Sequence, residues 1–159
     1  MKSPTIWILD DEEAIRDVLS TLVRRLGYVC EVFDSPVELL SRIRPGEVDV
    51  VFTDVRMEGM DGLELTRQLI AKDPALKVVL LTGFPSITDA VAAIKNGAFD
   101  YLTKPFRMEE IRMRIERAME SRELKGRLLT NRYLTWILIA SMPLWFFLGF
   151  LFAYVLRDL

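Results

Sequence analysis

The chain has 159 residues, room for one ordinary domain and an appendage. A formal net charge of −2 offers no basic footprint for nucleic acid, and a single cysteine, Cys30, excludes an internal disulfide and a zinc cluster. There is no histidine, so the most versatile general base is missing and this chain cannot itself carry a phosphohistidine. The apolar share of 51% is unevenly spread, because no charged residue occurs from Tyr133 to Leu156 and half of the aromatic residues lie there. A soluble domain is thus joined to a lipid-like tail.

The N-terminus, "MKSPTIWILDDEE", has one lysine and an apolar run too short for a signal peptide, so the N-terminal domain is expected in the cytoplasm. Within it, "TIWIL" reads as a first strand. Residues 12–26 follow as a helix with Ala14, Ile15, Val18, Leu22 and Leu26 on one face, stopped by Gly27. "YVCEVF" is a second strand, in which Cys30 is a small strand residue rather than a nucleophile. "SPVELLSRI" is a helix capped by its serine, with proline in the first turn. "VDVVFT" and "KVVLLT" are apolar almost throughout, as strands buried on both faces are. The helices "DGLELTRQLIAK" and "SITDAVAAIKNG" follow these two strands, and "FDYLT" is a fifth strand. A fifth helix starts near Met108, with Met108, Ile111, Ile115, Ala118 and Met119 as its apolar face. Strict alternation of strand and helix predicts a doubly wound α/β fold with a five-stranded parallel sheet.

Ligands of such sheets bind beyond the carboxyl ends of the strands. There the sequence offers Asp10 and Asp11 after the first strand, Asp54 after the third, Thr82 after the fourth, and Lys104 and Pro105 after the fifth. Three converging carboxylates repel one another unless a cation joins them, and Mg²⁺ is the hard, oxygen-seeking choice. A carboxylate can act as a nucleophile toward phosphorus, and phosphoryl transfer asks mainly for positioning and charge neutralisation. Lys104 and the Thr82 hydroxyl suit that purpose. Taken singly, Asp10 or Asp11 could cap the first helix, Asp54 could be a turn acid, Thr82 a strand residue and Lys104 a solvated charge. Their joint placement at different strand ends favours chemistry. A dehalogenase-type phosphatase would need D-x-D after the first strand, where the chain reads Asp10-Asp11-Glu12, and the nucleotide-binding G-x-x-x-x-G-K-[ST] motif is absent.

Residues 4–120 resemble the receiver (CheY-like) domain of two-component response regulators, through "ILDDEE", "VVFTDVRMEGMDG", "VVLLTG" and "GAFDYLTKPF". The resemblance implies a flavodoxin-like sheet of order 2-1-3-4-5. It implies that Asp54 is the phosphoacceptor and that Asp11, Asp54 and the backbone carbonyl of Arg56 bind Mg²⁺, with Asp10 helping through water. Thr82 and Lys104 would contact the phosphoryl group, Thr82 and Tyr101 would form the switch, and the Lys104–Pro105 peptide would be cis. The implied partner is a sensor histidine kinase or histidine phosphotransfer protein, and such a domain catalyses at most its own phosphorylation and dephosphorylation. The rival reading is a receiver-like interaction module that acts without phosphorylation. One departure is Glu58, where the family usually has proline. Arg56 also stands beside the phosphoryl position, where it could modulate water access. An output face formed by the fourth helix, fifth strand and fifth helix, including Lys95, Tyr101, Ile111 and Arg112, could pair two copies.

The chain then divides into a receiver domain (1–120), a basic helical linker (121–132), a single transmembrane helix (133–156) and a stub (157–159). The apolar run would be about 36 Å long as a helix, enough for one tilted crossing of a core about 30 Å thick. Arg122, Lys125, Arg127 and Arg132 precede it, whereas Arg157 follows it beside Asp158. That bias keeps the receiver on the cytoplasmic side of the inner membrane. The alternative is a soluble oligomer that uses the tail for packing.

Overall fold

The apolar runs "VVFTD" and "KVVLLT" form the middle of the molecule. In the computed structural model, which describes residues 3–84, 86–122 and 140, β3 (Val50–Asp54) and β4 (Lys77–Thr82) are buried at every position. Around them stand β1 (Thr5–Leu9), α1 (Glu13–Arg25), β2 (Val29–Phe33), α2 (Pro36–Arg42), α3 (Gly62–Lys72), α4 (Ile87–Lys95), β5 (Asp100–Thr103) and α5 (108–122). All four pairings are parallel and the strand order is β2-β1-β3-β4-β5. A compact unit spans Met1–Glu120. The apolar run 133–156 lies outside the described residues apart from residue 140, and so does all but the start of the basic linker. Among the described residues no helix is long and apolar enough to cross a membrane.

Successive strand side chains point to opposite faces, so the sheet has two cores. Ile6, Ile8, Val50, Phe52, Val79, Leu81 and Leu102 pack with Leu19 and Val23 of α1 and with Ile111, Ile115 and Ala118 of α5. On the other face Trp7, Leu9, Val51 and Val78 meet Leu39 of α2 and Leu65 and Leu69 of α3, while Leu80 meets Ala93 of α4. Each fully buried Leu, Ile or Phe stabilises the fold by about 1.5–3 kcal/mol.

Three local expectations need correction. In α1 the buried line runs through Leu19 and Val23, with Leu22 and Leu26 packed beside it, whereas Ala14 is exposed and Val18 is 52% exposed. The sequence holds two overlapping apolar stripes, and the one facing β1 and β2 is rotated from the stripe through Ala14 and Val18. Ser35 does sit at the N-cap of α2, but its side chain makes no capping bond, so proline at the first turn carries that start alone. Ile111 is fully buried against the sheet and is therefore no part of an outer face. Capping does hold elsewhere: Asp61 accepts from the Glu64 N–H, and Ser86 from the Asp89 N–H.

Candidate phosphoryl-accepting site

The same alternation that builds the α1/α5 core places the charges. Ile6 and Ile8 are followed in phase by Asp10, Val50 and Phe52 by Asp54, and Leu102 by Lys104, so the three charged residues extend one apolar face beyond the strand ends. Register brings them level: Leu9 pairs with Thr53, Asp54 with Leu81, and Leu81 with Leu102. In the same phase β4 supplies Gly83, where a side chain would meet nothing within 4 Å. Space is thereby left beside Asp54.

Lys104 organises the centre. Its Nζ lies 2.7 Å from Asp10 Oδ2, 2.9 Å from Asp54 Oδ1 and 3.7 Å from Glu12 Oε1. Its main-chain N–H donates to the Thr82 carbonyl at 2.6 Å, and the Lys104–Pro105 peptide is cis. Asp10 is fully buried, and its Oδ1 accepts the Glu12 N–H at 3.0 Å. Burial pushes the Asp10 carboxyl above its ordinary value and Asp54 adds to the rise, while the Lys104 ammonium and the Glu12 N–H oppose it. Burial works against the charge of Lys104, but its bonds to Asp10 and Asp54 outweigh that and raise its pKa. The two directions are compatible, because a single ammonium is shared among several carboxylates.

Neither Asp10 nor Asp11 is the N-cap of α1, which is Glu12 and makes no side-chain capping bond. Instead Asp10, Asp11 and Glu12 each offer a carboxylate oxygen within 4.8 Å of the others. This all-oxygen donor set, with Asp54 joined to Asp10 through Lys104, fits a hard divalent cation such as Mg²⁺. Arg56 joins the site through its main-chain N–H, which donates to Asp54 Oδ2 at 3.0 Å.

Thr82 and Tyr101 belong to the opposite phase. The Thr82 hydroxyl accepts the Phe84 N–H at 3.1 Å, closing a small turn above β4. Tyr101 packs against the Leu80 and Ala93 cluster, and its buried hydroxyl has no hydrogen-bond partner among the described residues. The two residues share a face of the sheet but are not bonded to each other.

Three residues were not picked out by the sequence reading. Glu12, one residue beyond the two acids at the end of β1, completes the oxygen cluster. Arg16 donates from Nη1 to the carbonyl oxygens of Asp10 at 2.7 Å and Asp11 at 3.0 Å. Phe84, 71% exposed, lies under the Arg56 guanidinium at 5.4 Å, so a cation–π contact spans the loops after β3 and β4. The arginine one turn into α1 was a readable signal, whereas the Phe84 contact depends on loop geometry.

The fold and this rim define a flavodoxin-like α/β domain with an acidic, lysine-bridged site at the strand ends. Residues 6–116 match the response regulator receiver domain, and the chain belongs to that family of signalling domains. It is similar to the DNA-binding transcriptional regulator NtrC of Escherichia coli K12, with 38% identity over 119 residues, covering 75% of this chain and 25% of that protein. Among solved structures it resembles a CheY-like receiver domain protein of Methanospirillum hungatei, with 26% identity, a TM-score of 0.72, and coverage of 79% of this chain and 100% of that one. It also resembles the beryllofluoride-activated NtrC4 receiver domain dimer, with 32% identity, a TM-score of 0.69, and coverage of 74% and 98%. The chain spans about a quarter of the length of the NtrC relative it matches.

Proposed function

We infer that the domain is a phosphorylation switch that accepts a phosphoryl group on Asp54. The observation that carries this reading is the Lys104 ammonium held between Asp10 and Asp54 at 2.7 and 2.9 Å. An Asp54 carboxylate oxygen attacks phosphorus, an O–P bond forms, and the N–P bond to a histidine of a partner kinase or phosphotransfer protein breaks with its electron pair returning to the imidazole. Lys104 neutralises developing charge, and the Thr82 hydroxyl turns from Phe84 toward the phosphoryl oxygens. A bound Mg²⁺, held by Asp11, Asp54 and the Arg56 carbonyl with Asp10 and Glu12 in support, would supply Lewis-acid stabilisation of those oxygens. The test is labelling of the full chain by a small acyl phosphate in Mg²⁺. Wild type should be labelled and Asp54→Ala should not; equal labelling of both refutes the assignment, and a lack of wild-type labelling favours the phosphorylation-independent interaction module.

The output in this reading is a changed surface or pairing. On α4, Ile87, Val91 and Ile94 are exposed at helical spacing and followed by exposed Lys95, while Tyr101 of β5 is half-buried and Arg112 of α5 is exposed. A second copy of this chain suits that apolar stripe, as the relative solved as an activated receiver dimer illustrates. The uncharged run 133–156 and the basic residues before it support a single-pass anchor that holds the receiver at the cytoplasmic face of the inner membrane. Alkaline carbonate washing of membranes checks this. The full chain should stay with the membrane and a version ending at Arg132 should be soluble; release of the full chain as a discrete oligomer favours a packing role.

A further inference from the structure

The turn from β1 into α1 carries three consecutive acids and has no side-chain cap. Its negative charges favour splaying, and only part of the turn is tied down from within. Asp10 is held by Lys104 and by the Glu12 N–H, but Asp11 is exposed. Arg16 supplies the missing restraint. From one turn into α1 its Nη1 reaches back to two successive carbonyl oxygens, 2.7 Å to Asp10 and 3.0 Å to Asp11. The Arg16 main-chain N–H also donates to the Glu12 carbonyl at 3.1 Å, so the side chain is anchored to the segment it braces. Among the described residues Arg16 forms no ion pair with any of these acids. Its charge is directed at main-chain oxygens.

We propose that Arg16 is a positioning residue for cation binding: it fixes the main chain of Asp10 and Asp11 so that the exposed Asp11 carboxylate stays aimed at the metal position. The inference rests on the metal-binding reading above. Charge alone argues for the opposite effect, since a guanidinium beside a divalent cation repels it. The sign of the change on removing Arg16 therefore separates the two effects. Groups that orient a metal's ligands typically alter affinity by about 10–100-fold when removed.

The experiment is Mn²⁺ binding to the purified full chain in detergent, read by electron paramagnetic resonance of the free ion, with circular dichroism confirming that each variant is folded. Arg16→Ala should bind about tenfold or more weakly than wild type. Arg16→Lys, which keeps a donor and the charge, should recover part of the loss. Arg16→Gln, which keeps amide donors without the charge, should bind more tightly than Arg16→Ala. If Arg16→Ala does not fold, the lysine and glutamine variants decide, and equal affinity of both with wild type overturns the proposal. Arg16→Ala that lowers thermal stability but binds within about twofold of wild type, or binds more tightly, shows a structural role only and overturns it. A wild-type chain that binds no Mn²⁺ overturns the metal-binding reading and this inference with it.

Discussion

Gly62 ties the fold to the chemistry more directly than any charged residue. It opens α3, its N–H donates to the Val55 carbonyl at 2.9 Å, and a β-carbon built on it would lie 2.2 Å from the Asp54 carbonyl oxygen. The same carbon would lie 2.9 Å from Leu80 Cδ2 and 3.0 Å from Val55 Cα. Close carbon–oxygen approaches settle at about 3.3–3.6 Å, so Gly62→Ala must open the Asp54 contact by about 1 Å. Two of the three neighbours are main chain and cannot rotate away. Overpacking of this kind costs about 1–3 kcal/mol, against about 1 kcal/mol at most gained from alanine in a helix. With the full gain subtracted, the net expectation is a loss of up to about 2 kcal/mol, or several degrees in the thermal midpoint. If Asp54 accepts the phosphoryl group as proposed, labelling should suffer more, because a shift of about 1 Å in a reacting group can lower rates about 100-fold. Thermal unfolding by circular dichroism and labelling by a small acyl phosphate, both on the full chain, measure the two effects. A Gly62→Ala chain with wild-type midpoint and labelling rate would refute the argument.

Other expectations follow from the charges and the buried hydroxyl. Lys104→Ala leaves Asp10 buried without its cation, and metal-free stability at neutral pH should fall by about 3 kcal/mol in denaturant titrations. Lys104 has a folded pKa raised above 10.5, so its contribution is present below that value and lost as pH rises through the raised one. The deficit of the variant should therefore shrink both in strong alkali and in acid, where the carboxylates take up protons. Asp10→Asn should raise the metal-free midpoint at pH 7. The Asp10 pKa is raised above 3.8, so the favourable contribution of its protonated form is complete below 3.8 and lost as pH rises; the advantage of asparagine should vanish in acid and under saturating Mg²⁺. Tyr101→Phe removes a buried hydroxyl that has no partner among the described residues and should stabilise the unphosphorylated chain by about 1 kcal/mol; a loss of that size would show that the hydroxyl is satisfied in solution.

The strands were legible because burial on both faces leaves little room for polar residues: "KVVLLT" could hardly be anything but a central strand, and it is buried throughout. The acids and Lys104 were legible because strand ends are fixed once strands are, and parallel register then brings Asp10, Asp54 and Lys104 together without further information. Helix faces were harder. Val18 and Leu19 are both apolar, and only the angle at which α1 meets β1 and β2 decides which is covered. Ile111 lies on the apolar face of α5 and also in the segment expected to form an outer face, and packing under the sheet makes it core. Loop partners such as Arg56 over Phe84 depend on the paths of two turns, and no periodicity encodes those.

Strand parity has a consequence for how defects in this domain should sort. Asp10, Asp54 and Lys104 continue the face that rests on α1 and α5, whereas Thr82 and Tyr101 continue the one that rests on α3 and α4. On the proposed reading the sheet is a bulkhead, with the acids and Lys104 on one side and the switch residues on the other. The hydrogen bond from the Lys104 N–H to the Thr82 carbonyl ties the two sets together in the plane of the sheet at its rim, and the turn from Asp54 leads into α3. Damage on the first side should silence the domain at its input. On the proposed reading, damage at Tyr101 should leave a domain that takes its phosphoryl group and fails to display it, whereas loss of the Thr82 hydroxyl, which would also meet the phosphoryl oxygens, should impair both steps.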